Sequence, residues 1–233
     1  MSADAQPTPA APIFRAVAER AVLVEFGTII DKPTHAAVLK LDQALAANPF
    51  NGFREAIPAF VNLLVEFDPI VTDHASVEAH LRGLLDVQTS TSRHPAVRQV
   101  LVCYDADFAP DLVAVATKTG LAPEEVINAH LAGAYEVFMY GFAPGYAYLG
   151  GVPAPIRLDR KPSPVRGLPA GSVMIAGQQC LVTTLIMPTG WWVIGRSPTP
   201  ILTGDPARPF LFDVGDSVTF RRISRAEFDR IKT

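Results

Sequence analysis

Two cysteines in 233 residues leave no material for a disulfide framework. Cys103 and Cys180 stand far apart, and neither has the near neighbour that a zinc site needs. The five histidines, His35, His74, His80, His94 and His130, show no paired ligand spacing, so no metal site is expected. Charge is sparse as well. Asp, Glu, Lys and Arg make up 18% of the residues and sum to a formal net charge of -3. No basic stripe is available to neutralise phosphates, which argues against nucleic acid as a partner. The pair Arg221-Arg222 reads as solvated surface. No apolar run approaches the roughly 20 residues that cross a bilayer, so no membrane partner is expected. The stretch Met1 to Pro12 lacks the basic and apolar regions of a secretory signal. It is small, polar and Pro-containing, and residues 1–16 are expected to form a disordered tail. With few cysteines and no signal, the expected location is cytoplasmic. Also missing are a Gly-x-x-x-x-Gly-Lys-Ser/Thr loop, a Rossmann glycine fingerprint and a Gly-x-Ser-x-Gly elbow. A nucleotide would have to be held in some other way.

What the chain does have is apolar material. Hydrophobic residues make up 49%, enough for one large domain or two modest ones. Ala21 to Phe26 is β-rich and closed by Gly27, which predicts a strand. Pro33 opens a helix through Ala47, with Ala37, Val38, Leu41 and Leu45 at helical spacing. Asn48 to Gly52 is a turn cluster. Phe60 to Phe67 reads as a second strand, stopped by Asp68-Pro69. Asp73 or Ser76 caps a second helix that presents Val77, His80, Leu81 and Leu84 on one face. Strand, helix, strand, helix predicts a small two-layer α+β domain over residues 17–93. The polar segment Thr89 to Pro95 has no periodicity and marks the boundary. Beyond it, Val97 to Tyr104 predicts a strand, Ala109 to about Gly120 a helix, and Leu121 to His130 a shorter helix with Pro123 in its first turn.

After Gly133 the texture changes. Proline and glycine punctuate short apolar runs such as Ser172 to Ala176, Cys180 to Ile186, Trp191 to Ile194 and Ser217 to Phe220. This pattern predicts a β-barrel or sandwich over residues 94–233. Ser224 and Glu227 are spaced as a capping box for a terminal helix ending near Ile231.

Four motifs carry a resemblance. Tyr140-Gly-Phe-Ala-Pro-Gly-Tyr-Ala-Tyr-Leu-Gly-Gly-Val-Pro153 resembles the signature Gly-Phe-x-Pro-Gly-Phe-x-Tyr-Leu of the allophanate hydrolase subunit 1 family, which includes the B component of bacterial ATP-dependent 5-oxoprolinase. Leu168-Pro-Ala-Gly-Ser-Val-Met-Ile-Ala-Gly177 and Pro188-Thr-Gly-Trp-Trp-Val-Ile-Gly-Arg-Ser-Pro198 are similar to its next two characteristic segments. Val214-Gly-Asp-Ser-Val-Thr-Phe220 is similar to its closing Pro-Gly-Asp-x-Val-x-Phe. In the first half, Ala21 to Gly27, Ile57 to Pro69 and Glu125-Val-Ile-x-x-His130 have family counterparts in the same order.

The resemblance implies a fold and a reaction. The fold is α+β: a small N-terminal α+β domain followed by a cyclophilin-like β-barrel. The reaction is ATP-dependent opening of a cyclic amide, 5-oxoproline to glutamate, by a heteromeric complex. In that complex this chain acts with a C component, which is similar to allophanate hydrolase subunit 2, and with an A component. ATP is used by the complex, and its contact with this chain is left open. Two other members of the family imply alternatives: a regulatory inhibitor of a sensor histidine kinase, and a carboxyltransferase-like subunit of a urea or allophanate pathway. The chain departs from the family at Cys180 to Thr184, Met187, Thr189 and Pro164-Val165. These segments are expected near the pocket, which puts the weight of the departure on substrate choice.

The candidate site residues follow from side-chain chemistry. Gly141, Pro144 and Gly145 shape a tight loop, either as a plain turn or as a set of N–H groups offered to an anion. Phe142, Tyr146 and Tyr148 form either a stacking wall for a flat ligand or barrel core. Arg196 has the planar fork that suits a carboxylate or phosphate, and is a candidate catalytic group unless it serves a structural ion pair. His130 is the second candidate catalytic group, as a proton shuttle, or else a helix-terminal His answering the dipole. Gln178 and Gln179 can reach an amide-like ligand or form a solvated turn. Cys180 is a nucleophile or a buried filler. Trp191 and Trp192 alternate faces if they lie on a strand, leaving one for a pocket.

Overall fold

The computed structural model describes residues 11–87 and 95–232. The chain forms two compact units, residues 1–94 and 95–233. The polar segment expected to mark the boundary falls mostly within residues 88–94, outside the described residues.

The first unit holds β1 (Ile13–Val17), β2 (Ala21–Glu25), α1 (Lys32–Ala47), β3 (Phe53–Ala59), β4 (Asn62–Phe67) and α2 (His74–Leu84). Its sheet is antiparallel with strand order β1-β2-β4-β3. Period-2 alternation buries Val22 and Val24 of β2 and Leu63, Val65 and Phe67 of β4 on one face. That face packs on Val38, Leu41 and Leu45 of α1 and Val77, Leu81 and Leu84 of α2. Both helices begin at an aspartate. Asp31 accepts from the Thr34 N–H and Asp73 from the Ser76 N–H, each at 2.8 Å. These backbone hydrogen bonds hold both carboxyls below their ordinary range. Of the two candidate caps for α2, Asp73 is the one used.

Two expectations are corrected here. The tail expected through residue 16 gives way at Ile13, where β1 begins and pairs with β2 along its whole length; residues 1–10 lie outside the described residues. The strand expected from Phe60 begins at Asn62, because Phe60 takes φ +51° in the turn joining β4 to the unexpected β3.

The second unit contains β5 (Val97–Val102), α3 (Leu112–Thr119), α4 (Pro123–Leu131), β6 (Tyr135–Tyr140), β7 (Ala147–Gly150), β8 (Val165–Leu168), β9 (Ser172–Ala176), β10 (Gln179–Val182), β11 (Met187–Thr189), β12 (Trp192–Arg196), β13 (Ser217–Arg222) and α5 (Arg225–Lys232). Seven strands form one sheet in the order β12-β9-β10-β7-β6-β13-β5, while β8 and β11 pair separately. Its two outer strands meet: Cys103, just past β5, exchanges backbone hydrogen bonds with Arg196 of β12, both at 2.9 Å. The sheet is thereby nearly closed into a barrel, with its two outer strands joined at this one bridge. Asp216 secures the parallel β13–β5 pair. Its buried carboxylate accepts from the Ala96 N–H, Arg98 Nε and the Asp213 N–H at 3.0–3.1 Å.

Closure gives the barrel an inside and an outside. All seven strands send side chains to one core, including Val100, Val218, Val137, Leu149, Val182, Ile175 and Ile194, and α3 and α4 complete it with Val115 and Val126. The alternate residues Met174, Ala176, Leu181 and Val193 face the other way and form a second, smaller cluster with Tyr146 and Trp191. All five residues of β9 are buried because both of its faces are covered. Among the described residues, no helix is long and apolar enough to cross a membrane.

Candidate functional site

The polar groups most capable of covalent chemistry lie in the barrel interior. His130, near the end of α4, is fully buried. Its Nδ1 is 2.7 Å from the Tyr104 hydroxyl and its Nε2 is 3.5 Å from Cys180 Sγ. Phe220 packs against the imidazole at a tilt, with ring centroids 4.4 Å apart. Loss of hydration lowers the imidazole to about 3, so it is neutral near pH 7. The same burial pushes the Cys180 thiol and the Tyr104 phenol up, away from their ionised forms. The three groups are partners in a neutral core network. Both cysteines are buried and free.

The outer face carries a cavity of about 330 Å³, formed entirely within the second unit. Its floor is Met174 of β9 and Leu181 of β10. Its aromatic walls are Phe142, Tyr146, Tyr148 and Trp191, and its rim is Arg160, Lys161, Pro164, Pro188, Thr189 and Gly190. The aromatics form a chain of contacts: Phe142 to Tyr146 at 5.6 Å, Tyr146 to Tyr148 at 6.4 Å and Tyr148 to Trp191 at 6.0 Å between centroids. The cavity is open to solvent and mixes aromatic walls with polar and charged groups at its rim, a concave surface on which a small polar molecule can be held.

The loop from β6 to β7 supplies the first wall. Gly141 donates to the Tyr146 carbonyl at 3.1 Å and Tyr146 to the Ala143 carbonyl at 3.0 Å. Gly145 has φ +73°, a left-handed conformation that favours glycine, and a Cβ there would also displace the end of the Leu202 side chain, 2.7 Å away. Phe142 itself has φ +71°, a left-handed conformation that a bulky residue adopts at a cost of about 1–3 kcal/mol. That conformation leaves its ring 75% exposed at the cavity mouth. Thr184 donates to the Pro144 carbonyl at 2.7 Å and fastens the loop from the other side. The Tyr146 hydroxyl contacts Met187 Sδ, and burial raises this phenol to about 12.

The rim opposite is held just as firmly. The Leu158 carbonyl accepts from Gly177, the Asp159 carbonyl from Trp192 Nε1, and the Lys161 N–H donates to the Gly190 carbonyl, all at 2.7 Å. The Lys161 ammonium pairs at 2.5 Å with Asp111, which also accepts from the Val193 N–H at 2.7 Å. Arg160 lies between these fixed points with its guanidinium 5.7 Å from the Trp191 ring centroid.

Of the residues picked from sequence, Phe142, Tyr146, Tyr148 and Trp191 come together in this cavity, while Gly141, Pro144 and Gly145 shape its loop. Cys180 and His130 meet inside the barrel instead. Gln178 lies in the turn before β10 and Gln179 pairs with Gly150, away from the cavity lining. Arg196 also lies apart from it. Its Nε is 3.4 Å from the Ala170 carbonyl, and its guanidinium sits over Phe108 and Phe228 at 5.4 and 5.9 Å. His130 does lie in the last turn of α4, but it is buried inside the barrel, and the Arg196 guanidinium packs over aromatics outside the cavity lining. Sequence reasoning missed Arg160 and Lys161. Their available signal was a basic pair between Asp159 and two prolines in a charge-poor chain.

Residues 12–212 match the family described as carboxyltransferase domain, subdomain C and D. The chain belongs to that family. This carboxyltransferase-family chain is 36% identical to the B component of 5-oxoprolinase from Bacillus subtilis (strain 168) over 228 residues, covering 92% of this chain and 94% of that one. Among solved structures it is similar to TTHA0988, with a TM-score of 0.77 and 32% identity over 88% of this chain. It spans only 39% of that longer polypeptide. It also shares the fold of part of the Kluyveromyces lactis urea carboxylase, with a TM-score of 0.73 at 15% identity, over 94% of this chain and 22% of that one. Pro164, Leu181 and Thr189 line the cavity, and Met187 and Thr184 touch its walls.

Proposed function

We propose that this chain is the B component of an ATP-dependent cyclic-amide hydrolase, acting on 5-oxoproline to give glutamate. The observation that carries this is a small-molecule cavity walled by the signature segment Phe142 to Tyr148 and by Trp191, in a chain 36% identical to the B component of a 5-oxoprolinase. The outer-face cavity holds the substrate ring between its aromatic walls. A C component similar to allophanate hydrolase subunit 2, and an A component, act with it. The relative in which a region like this chain is part of a longer polypeptide supports such a partnership. The complex works in the cytoplasm, where ATP is supplied.

In the reaction, the γ-phosphoryl group moves from ATP to the amide oxygen. The O–P bond forms, the bond to ADP breaks and the ring N–H proton is lost. Water then adds to the activated carbon, the C–N bond breaks, and the nitrogen takes up protons as the amine. A second water releases phosphate from the resulting acyl phosphate. This chain's part is to bind and orient the ring and to exclude bulk water around it.

The test is reconstitution. The chain is co-expressed with candidate C and A components, and 5-oxoproline-dependent release of ADP and glutamate is followed. The proposal expects both products only when this chain is present. A stable complex that hydrolyses no ATP in response to 5-oxoproline would refute it.

A further inference from the structure

The rim of the outer-face cavity has an unbalanced charge. Its lining contains two cations, Arg160 and Lys161, and no carboxylate. Lys161 is neutralised at 2.5 Å by Asp111, and both side chains are largely buried, at 10% and 18% exposure. Arg160 has no such partner among the described residues; its contact is the Trp191 ring. Its backbone is fixed on both sides, through Asp159 to Trp192 and through Lys161 to Gly190. The guanidinium is therefore placed at the cavity mouth by a rigid segment, backed by an aromatic face, with its N–H fork uncommitted. A planar guanidinium in that setting recognises a carboxylate with two parallel hydrogen bonds. Behind it stand the aromatic rings of Trp191, Tyr148 and Tyr146, which suit a small flat ring.

We propose that Arg160 is the anion anchor of this cavity, and that the cavity selects small cyclic amides that carry a carboxylate over neutral ones. This rests on the cavity being the substrate site. Arg160 is a specificity-determining residue that sets which ring enters and how it is turned; the Trp191 face holds the guanidinium in place.

The experiment is calorimetric titration of the full-length chain with three probes: 5-oxoproline, 2-pyrrolidinone (the same lactam without its carboxylate) and cyclopentanecarboxylate (a carboxylate without the amide). Each is measured on the wild type, Arg160→Gln and Arg160→Lys. Because Arg160 is exposed, the variants keep the wild-type thermal midpoint, which is checked first. The expected result is that Arg160→Gln weakens 5-oxoproline and cyclopentanecarboxylate on the order of tenfold or more, leaves 2-pyrrolidinone unchanged, and is partly rescued by Arg160→Lys. Equal affinity of wild type and Arg160→Gln for 5-oxoproline overturns the anchor while leaving the substrate reading intact. Arg160-dependent binding of cyclopentanecarboxylate, with no 5-oxoproline turnover in the reconstituted complex, supports the anchor and removes the substrate reading. Absence of binding by all three probes overturns the anchor, since the cavity is complete within this chain.

Discussion

The two faces of the barrel wall use the same strands for opposite ends. On the inner face, Cys180 of β10 and His130 of α4 come within 3.5 Å, residue types that by themselves suggest a nucleophile and a base. Burial keeps both neutral, and a thiol held above its ordinary range beside an imidazole held below its own does not ionise near pH 7. On the outer face, one residue along each strand, Leu181, Met174 and Trp191 line a cavity without cysteine or histidine but with aromatic walls and a guanidinium that has no ion-pair partner among the described residues. The contrast teaches that reactivity follows environment more than residue type. The face that pairs a thiol with an imidazole holds both neutral in the core, and the face without either is equipped to bind.

The sharpest way to separate the faces is a deletion on the inner one. Ile194 is fully buried there, and Ile194→Ala is expected to cost about 3 kcal/mol of stability through lost packing and the cavity left behind. Urea unfolding checks this, while ligand affinity measured well below the transition should be unchanged. A titration follows from His130. The imidazole is held at about 3 in the fold but returns to about 6.5 when unfolded, so unfolding takes up a proton between these values. Stability from this group is complete above about pH 6.5 and falls as the pH drops toward 3, by about 2 kcal/mol at pH 5. Urea midpoints at pH 7 and pH 5 should show this loss in the wild type and lack it in His130→Gln. On the outer face the effects shift from stability to affinity. Trp191→Phe weakens the aromatic backing of Arg160 and should reduce 5-oxoproline affinity about fivefold, a cation–π effect near 1 kcal/mol, measured by calorimetry. The smallest effect is expected at the thiol. Cys180→Ala should leave turnover of the reconstituted complex unchanged, and loss of turnover in a variant that melts normally would return Cys180 to the mechanism.

Much of the scaffold was legible because it follows periodicity. Val38, Leu41 and Leu45 at helical spacing announce α1, and the apolar alternation of Leu63, Val65 and Phe67 announces β4. The strands of the first unit that escaped notice bury little. Among β1 residues only Phe14 is even partly covered, and β3 carries Pro58 and Glu55 on the edge of its sheet, where a missing N–H is tolerated. The run Cys180 to Ile186 looked like one strand, yet β10 ends at Val182 and Leu185 and Ile186 are exposed. The aromatic walls of the site were legible for a different reason. Phe142, Tyr146, Tyr148 and Trp191 sit in motifs whose resemblance pointed to them. Arg160 sits in a segment without periodicity and reaches Trp191, 31 residues later in the chain, only through the hydrogen bonds that fix Leu158, Asp159 and Lys161 to the barrel. His130 and Arg196 were chosen for their chemistry, and burial, which decides what that chemistry can do, is a property of the folded barrel.

The chain's two tryptophans provide the most direct test, because they sit on opposite faces of one strand edge. Trp191 lines the outer cavity, whereas Trp192 belongs to the inner core and donates its indole N–H to the Asp159 carbonyl at 2.7 Å. Both indole N–H resonances can be assigned with single Trp→Phe variants and followed while 5-oxoproline is added to the full-length chain. The account predicts that the Trp191 resonance shifts with saturation and that of Trp192 moves far less. A shift confined to Trp192, or two unmoved resonances in a chain that supports 5-oxoproline turnover, would contradict it.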